Sequence, residues 1–231
     1  AGIPSESGAT TINKMCGSGM KSIMFGHDSI KAQQNNIVVA GGLENMTNAP
    51  YILSKARKGF RMGHADVKDH MFLDGLEDAY EEGKLMGSFA EDTAEHYQFT
   101  REQQDNFAIT SLERAKKANE DGTFESEIVP IKVSNRKNEI IINKDEQPFK
   151  SDITKIPTLK PAFKKNGTVT AANSSSISDG ASSVILMLES EAQKRGIKPL
   201  ARIINHSTNS QEPKWFTTCL LYTSPSPRDS C

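Results

Sequence analysis

The chain is poor in the residues that announce most specialised classes. Its 231 residues include three cysteines, Cys16, Cys219 and Cys231, too few and too scattered for a disulfide framework or a zinc ligand set. Neither sign of charge is in excess: 28 basic side chains face 29 acidic ones, a formal net charge of -1. No overall field therefore recruits nucleic acid or an anionic membrane, and a small-molecule substrate fits better than a polyanion. No apolar run approaches the ~20 residues of a membrane-spanning helix, and the N-terminus lacks the basic-then-apolar order of a secretory signal. A soluble protein of a reducing compartment, cytoplasm or mitochondrial matrix, is expected. His64 and His70 lie near Asp66 and Asp69 but without a recognised ligand spacing, so no metal site is expected and no histidine is assigned a catalytic role.

What is present is an ordered alternation of patterns. Met20, Ile23, Met24 and Ile30 follow Cys16 at helical steps, predicting a helix with one buried stripe that ends before Asn35 and Asn36. "NIVVAGG" (36 to 42) is a β-branched run closed by two glycines, predicting a buried strand that feeds a tight turn. This alternation argues for an α/β layer structure. Residues 47 to 85 have no sustained period and read as an irregular excursion. Two helices are expected on either side of Phe99, the second opened by Thr100 and Gln103 at capping-box spacing, carrying Phe107, Ile109, Leu112 and Ala115 inward, and stopped by Gly122. "EIVPIKV" (127 to 133) and "NEIIIN" (138 to 143) read as a hairpin, with Pro130 placing the first at an edge. In "SDGASSVILML" (178 to 188) Asp179 is a candidate N-cap of a helix carrying Ala181, Val184, Ile185 and Met187, although the period also allows a strand. "PLARIINH" (199 to 206) is the last strand-like run.

The thiol in "INKMCGSGMKS" (12 to 22) is the main chemical candidate. A helix N-terminus favours a thiolate through its free N–H groups and the positive end of the macrodipole, and thiolate is the form that attacks a carbonyl. Gly17 and Gly19 leave room for an acyl group to approach, and Ser18 can supply a local hydrogen bond. From the pattern alone, Cys16 is either a nucleophile or a small buried hydrophobe.

The stretches "INKMCGSGMKS", "VVAGGLENMTNAPY", "TREQQDNFAITSLERA", "EIVPIKV", "LKPAFKKNGTVTAANSSSISDGASSVILM" and "EPKWFTT" occur in the order found in thiolases. The likeness runs from residue 1 to about 218, and it most resembles the acetyl-CoA C-acetyltransferase branch. The resemblance implies a layered α/β/α/β/α architecture, of which this chain would hold an incomplete N-terminal half plus the inserted loop domain. Residues 1–45 would be the nucleophile-bearing part, 46–177 the loop domain over the coenzyme A site, 178–198 the return to the N-terminal domain, and 199–218 the start of the C-terminal domain. The tail 219–231 is expected to be artefactual or disordered, because "CLLYTSPSPRD" resembles translated sequencing-adapter read-through; a genuine flexible tail is the alternative.

The resemblance also implies roles. Cys16 would take an acyl group from an acyl-CoA as a thioester. Leu76, Met86, Ala162, Phe163, Ala171, Ser175 and Ile177 match the family's coenzyme surface, apolar walls with a few hydroxyl partners as a pantetheine arm requires. Lys150 lies near the basic group offered to the adenosine end and could meet a phosphate as a point charge. Leu85 stands where the family often has histidine, and Ser176 where a glycine is common. Residues 54–70 would contribute to a homotetramer, although the basic run "SKARKGFR" (54 to 61) reads equally well as a solvated surface. No cofactor is expected beyond coenzyme A as substrate and product. The family's activating histidine and second cysteine fall beyond residue 218, so the chain is expected to be a fragment inactive by itself. The implied reaction is reversible condensation of two acetyl-CoA into acetoacetyl-CoA. The alternatives are a 3-ketoacyl-CoA thiolase of broader chain length, a decarboxylating condensing enzyme, a non-catalytic acyl-CoA-binding or lipid-transfer protein of the same fold, and an interaction scaffold.

Overall fold

A computed structural model describes residues 2–134 and 138–220. The expectation for the 219–231 tail therefore concerns residues that lie, from 221 on, outside the described ones. The chain divides into two compact units. One is built from the chain up to Gly83, Ile177–Glu212 and the residues from Thr218; the other from Lys84–Ser176 and Pro213–Thr217.

The first unit is organised by helix α1 (Ser18–Lys31) and strand β1 (Ile37–Glu44). Further along come the short pair β2 (Tyr51–Ile52) and β3 (Lys68–Asp69), which align Tyr51 with Asp69 antiparallel. Between the pair and the end of this stretch, Phe72–Leu76 forms a single π-turn.

In the second unit, α2 (Met86–His96) and α3 (Arg101–Glu120) flank Phe99 as the spacing predicts. The capping box is present, with the Gln103 N–H donating to Thr100 Oγ1 at 3.2 Å and the Thr100 N–H to Gln103 Oε1 at 2.9 Å. Gly122 has φ +77°, which lets the chain leave the helix. The inward stripe of α3 differs from the predicted one. Phe107 is 79% exposed while Asp105 is 4% exposed, because Asp105 has ionic and amide partners that stabilise it inside. Arg101 Nε donates to it at 2.7 Å and Asn173 Nδ2 at 3.1 Å. The antiparallel hairpin of β4 (Ile131–Ser134) and β5 (Glu139–Ile142) forms as expected, but it starts only after Pro130, which has no N–H for a ladder. A one-turn helix α4 (Gln147–Lys150) follows.

The core of this unit centres on Phe89, 1% exposed, with Ala94, Ile156 and Val169. Beside it lies the buried carboxylate of Glu91, which accepts hydrogen bonds from the N–H groups of Thr168 and Val169 at 2.8–3.0 Å. A buried carboxylate is tolerated only when so satisfied. It ties the 166–170 loop to α2, and Gly167 is needed there because a side chain would collide with the Glu91 carboxylate.

The remaining elements belong to the first unit, where β6 (Gly180–Met187) is followed by α5 (Glu189–Lys194). Strand β6 replaces the helix expected from Asp179. It pairs antiparallel with β1, with Ala40 opposite Val184 and Glu44 opposite Gly180, and α1 packs on this two-stranded sheet. Val184 and Ile185 suit a pleated surface, and the ladder decides an ambiguous period. Asp179 instead accepts a hydrogen bond from the Thr47 N–H at 2.9 Å, joining the exit of β1 to the entry of β6. The hydroxyl and N–H of Thr47 together hold the Asp179 carboxyl below the usual carboxylate range.

Two further expectations are corrected. Gly41 and Gly42 do not form a turn after β1; they lie inside it. Residues 199–206 form no strand and, among the described residues, have no strand partner. A run with strand composition stays irregular when no neighbouring edge accepts its hydrogen bonds.

Candidate active site

Cys16 lies just before Gly17, the residue that caps α1, and its thiol is free and exposed. Exposure removes the buried-hydrophobe reading. The approach to it is tightly turned. Met15 has φ +48°, a left-handed conformation uncommon for a residue with a side chain. Three hydrogen bonds hold it there: the Met15 N–H donates to Asn13 Oδ1 at 2.8 Å, the Lys14 N–H to Ser18 Oγ at 2.9 Å, and the Ser18 hydroxyl to the Met15 carbonyl at 2.7 Å. Ser18 thus supplies the local bond its position suggests, and clamps both sides of Met15. No side chain caps the start of α1, so the N–H groups of the first turn are not occupied by one, and the positive end of the helix dipole lies beside the cysteine.

The start of α1 is set against β1 by an absence of side chains. A Cβ on Gly42 would lie 2.8 Å from Gly19 Cα and 3.0 Å from its nitrogen, so the two backbones meet directly. Gly19 therefore serves helix-to-strand contact rather than clearing an open approach to the thiol. Ser22, one turn on, donates to the Gly41 carbonyl at 2.8 Å and fixes the same junction. The sequence signal for this was the pair of glycines in "AGG", whose spacing is silent on what they touch.

The positions assigned to the coenzyme surface fall in both units. Leu76 ends the π-turn, half-buried, and Ile177 is exposed ahead of β6; both share the first unit with Cys16. Met86, Ala162, Phe163, Ala171, Ser175 and Lys150 belong to the second. There Met86 opens α2, and the next residue, Gly87, receives the Phe163 ring so closely that any Cβ would strike it. The Ala162 N–H donates to the Val169 carbonyl at 2.9 Å, which closes the 162–169 loop. Asn173 accepts from the Thr170 N–H at 2.7 Å and donates to the Thr168 carbonyl at 3.1 Å, bracing the stretch that carries Ala171 and Ser175. Ala171 and Ser175 are exposed, Phe163 and Met86 half-buried. Lys150 is exposed and lies 2.6 Å from Glu146 one turn earlier, so its charge already has a local partner. Glu91, Asp105 and Asn173, which shape this loop, carried no signal in the sequence; buried polar clamps have no periodicity.

Of the histidines, His70 Nε2 lies 3.3 Å from Asp74. His27 and His206 share Asp28, at 3.0 and 2.8 Å.

Fold and site together define an α/β chain that presents a solvent-open thiol at the entry of a helix laid on a sheet. Residues 1–190 match the family model described as thiolase, N-terminal domain, and the chain belongs to the thiolase family. It is 48% identical over 219 residues to a probable acetyl-CoA acetyltransferase of Dictyostelium discoideum, covering 94% of this chain and 53% of that protein. It is 44% identical over 214 residues to a probable acetyl-CoA acyltransferase of Staphylococcus aureus, covering 92% and 54%. The chain thus spans about half the length of the curated relatives it matches. Among solved structures, an acetyl-CoA acetyltransferase from Syntrophomonas wolfei superposes with a TM-score of 0.87 at 34% identity, over 99% of this chain and 59% of that one. The Acat5 thiolase from Ascaris suum, solved in complex with coenzyme A, superposes with a TM-score of 0.85 at 38% identity, over 93% and 55%.

Proposed function

We propose that the whole protein is an acetyl-CoA C-acetyltransferase, condensing two acetyl-CoA into acetoacetyl-CoA and coenzyme A in a reversible reaction. The sulfur of Cys16 attacks the acetyl carbonyl, the carbon–sulfur bond to coenzyme A breaks, and the released thiolate takes a proton. A second acetyl-CoA, having lost its α-proton, then attacks the Cys16 thioester; a carbon–carbon bond forms and the Cys16 sulfur leaves. Each tetrahedral stage needs fixed N–H or side-chain donors for its oxyanion.

The observation that carries this reading is the exposed Cys16 beside the start of α1, which no side chain caps. The match to the thiolase N-terminal domain supports it, as do the acetyltransferase names of the relatives. Leu76, Met86, Ala162, Phe163, Ala171, Ser175 and Ile177 are assigned to coenzyme A, and Lys150 to its adenosine phosphate, where the Glu146 contact would have to give way. The division into 1–45, 46–177, 178–198 and 199–218, and a homotetramer joined through residues 54–70, belong to the same reading. No cofactor other than the coenzyme A of the substrate is required. No helix among the described residues is long and apolar enough to cross a membrane, in keeping with a dissolved thioester as substrate.

The test is chemical. The whole protein is incubated with acetyl-CoA and its peptides are mapped by mass spectrometry. An acetyl group is expected on Cys16, absent in Cys16→Ser and reduced by excess coenzyme A. Acetylation of Cys219 instead, or an unchanged total in Cys16→Ser, removes Cys16 from the mechanism. A second reading, transfer of longer acyl chains, is favoured by the acyltransferase name of the Staphylococcus relative and by Leu85 in place of histidine. Butyryl-CoA labelling Cys16 as fast as acetyl-CoA does would decide for it.

A further inference from the structure

Away from Cys16, the third turn of α1 meets a segment from the far end of the first unit. His27 and Asp28 are adjacent on the helix, and His206 reaches them from the irregular stretch 199–212, 178 residues later. One oxygen of Asp28 stands 3.0 Å from His27 Nδ1 and 2.8 Å from His206 Nε2. The donor atoms of all three residues lie within 4.8 Å of one another. The two imidazoles meet edge to face, centroids 5.1 Å apart and planes at 85°. Their rings are thus crossed rather than stacked, with Nδ1 of one and Nε2 of the other turned to the same carboxylate oxygen. The imidazoles are 18% and 24% exposed, the carboxylate 58%. The nitrogen side is sheltered and the oxygen side open to water.

We propose that His27, Asp28 and His206 form a binding site for a divalent transition-metal ion of the zinc type, which clips the 199–212 segment onto α1. The donor set is the reason. Two neutral imidazole nitrogens and one carboxylate oxygen satisfy a borderline ion, and the open side leaves a place for water. Bonds of about 2.0–2.2 Å in a tetrahedral shell put neighbouring donors about 3.3 Å apart. The present 2.8 and 3.0 Å contacts to the carboxylate oxygen therefore have to open by a few tenths of an ångström, while the donor atoms, spread over up to 4.8 Å, have to draw together around the ion. A lysine or arginine in place of either histidine would give a simple ion pair; two imidazoles converging from distant parts of the chain supply lone pairs instead. The clip has work to do. Residues 199–212 have no strand of their own, and closing a loop of this length is where a cross-link stabilises most. This inference does not depend on the chemistry of Cys16.

The full chain, carrying Cys16→Ser and Cys219→Ser to remove competing thiols, is titrated with Co²⁺ and then Zn²⁺. One Co²⁺ per chain is expected, with visible absorption bands that Zn²⁺ abolishes. Binding should weaken at least tenfold in His27→Ala and in His206→Ala, and stay unchanged in His70→Ala. Because Asp28→Asn keeps the shape and a neutral acceptor, it serves as the variant that folds if the alanine variants do not; it too should bind more weakly. A second readout is trypsin cleavage after Arg202, which Zn²⁺ should slow in the parent chain and leave unaffected in His206→Ala. Co²⁺ binding that survives His206→Ala, or Zn²⁺ that fails to protect the bond after Arg202, overturns the proposal and leaves a hydrogen-bonded His-Asp-His bridge.

Discussion

At the scale of single residues, the candidate site depends on what certain positions lack. Gly19 and Gly42 bring α1 against β1 at backbone distance, and Ser18 and Asn13 hold Met15 left-handed in front of the thiol. Gly42→Ala would put a methyl group where backbone atoms cannot yield. It is expected to cost about 1–3 kcal/mol by overpacking, read as a lowered urea midpoint at unchanged slope. If the substitution is silent, the helix start has slack that the close glycine contact denies. Cys16 was legible in the sequence as a candidate from its flanks, because glycine, serine and a following helical stripe are local signals. The partner glycines and the Met15 conformation were not, because they record contacts with atoms distant in the chain.

At the scale of elements, α3 shows local rules at work. Its N-terminus was readable from Thr100 and Gln103, its end from Gly122. Its buried face was not, since Asp105 is inside only because Arg101 and Asn173 meet it there. The C-terminal turn carries a pH dependence. Lys117, the side chain and N–H of Thr123 and the Lys117 charge together hold the Asp121 carboxyl at about 2, below its ordinary 3.8. A carboxyl lowered in the folded state stabilises above its unfolded value and stops doing so as pH falls through the folded one. The contribution is thus present above about pH 4 and fades toward pH 2. Urea midpoints of the parent and Asp121→Asn should differ at pH 5 and converge on acidification to pH 2. A gap that stays constant with pH would show that Asp121 acts through shape rather than charge. Strand β6 teaches the opposite lesson to α3: Asp179 looked like a cap, and the ladder to β1 prevailed over it.

At the scale of the whole molecule, the chain holds two compact units with separate cores. Damage at the Gly19–Gly42 contact should therefore stay local. Hydrogen exchange on Gly42→Ala is expected to quicken in α1, β1 and β6 while the amides of α3 and the Glu91 clamp keep their protection; equal acceleration everywhere would mean one cooperative unit. By itself the sequence determined the α/β class, the nucleophile candidate, both helices around Phe99 and a hairpin within 127–143, all of which rest on caps, turns and periods that act over a few residues. Only the tertiary structure decided that 180–187 is a strand, that 199–206 is not, and that His27, Asp28 and His206 converge. Strand pairing and side-chain clusters depend on which distant segment offers a free edge or a matching donor, and no local pattern records that.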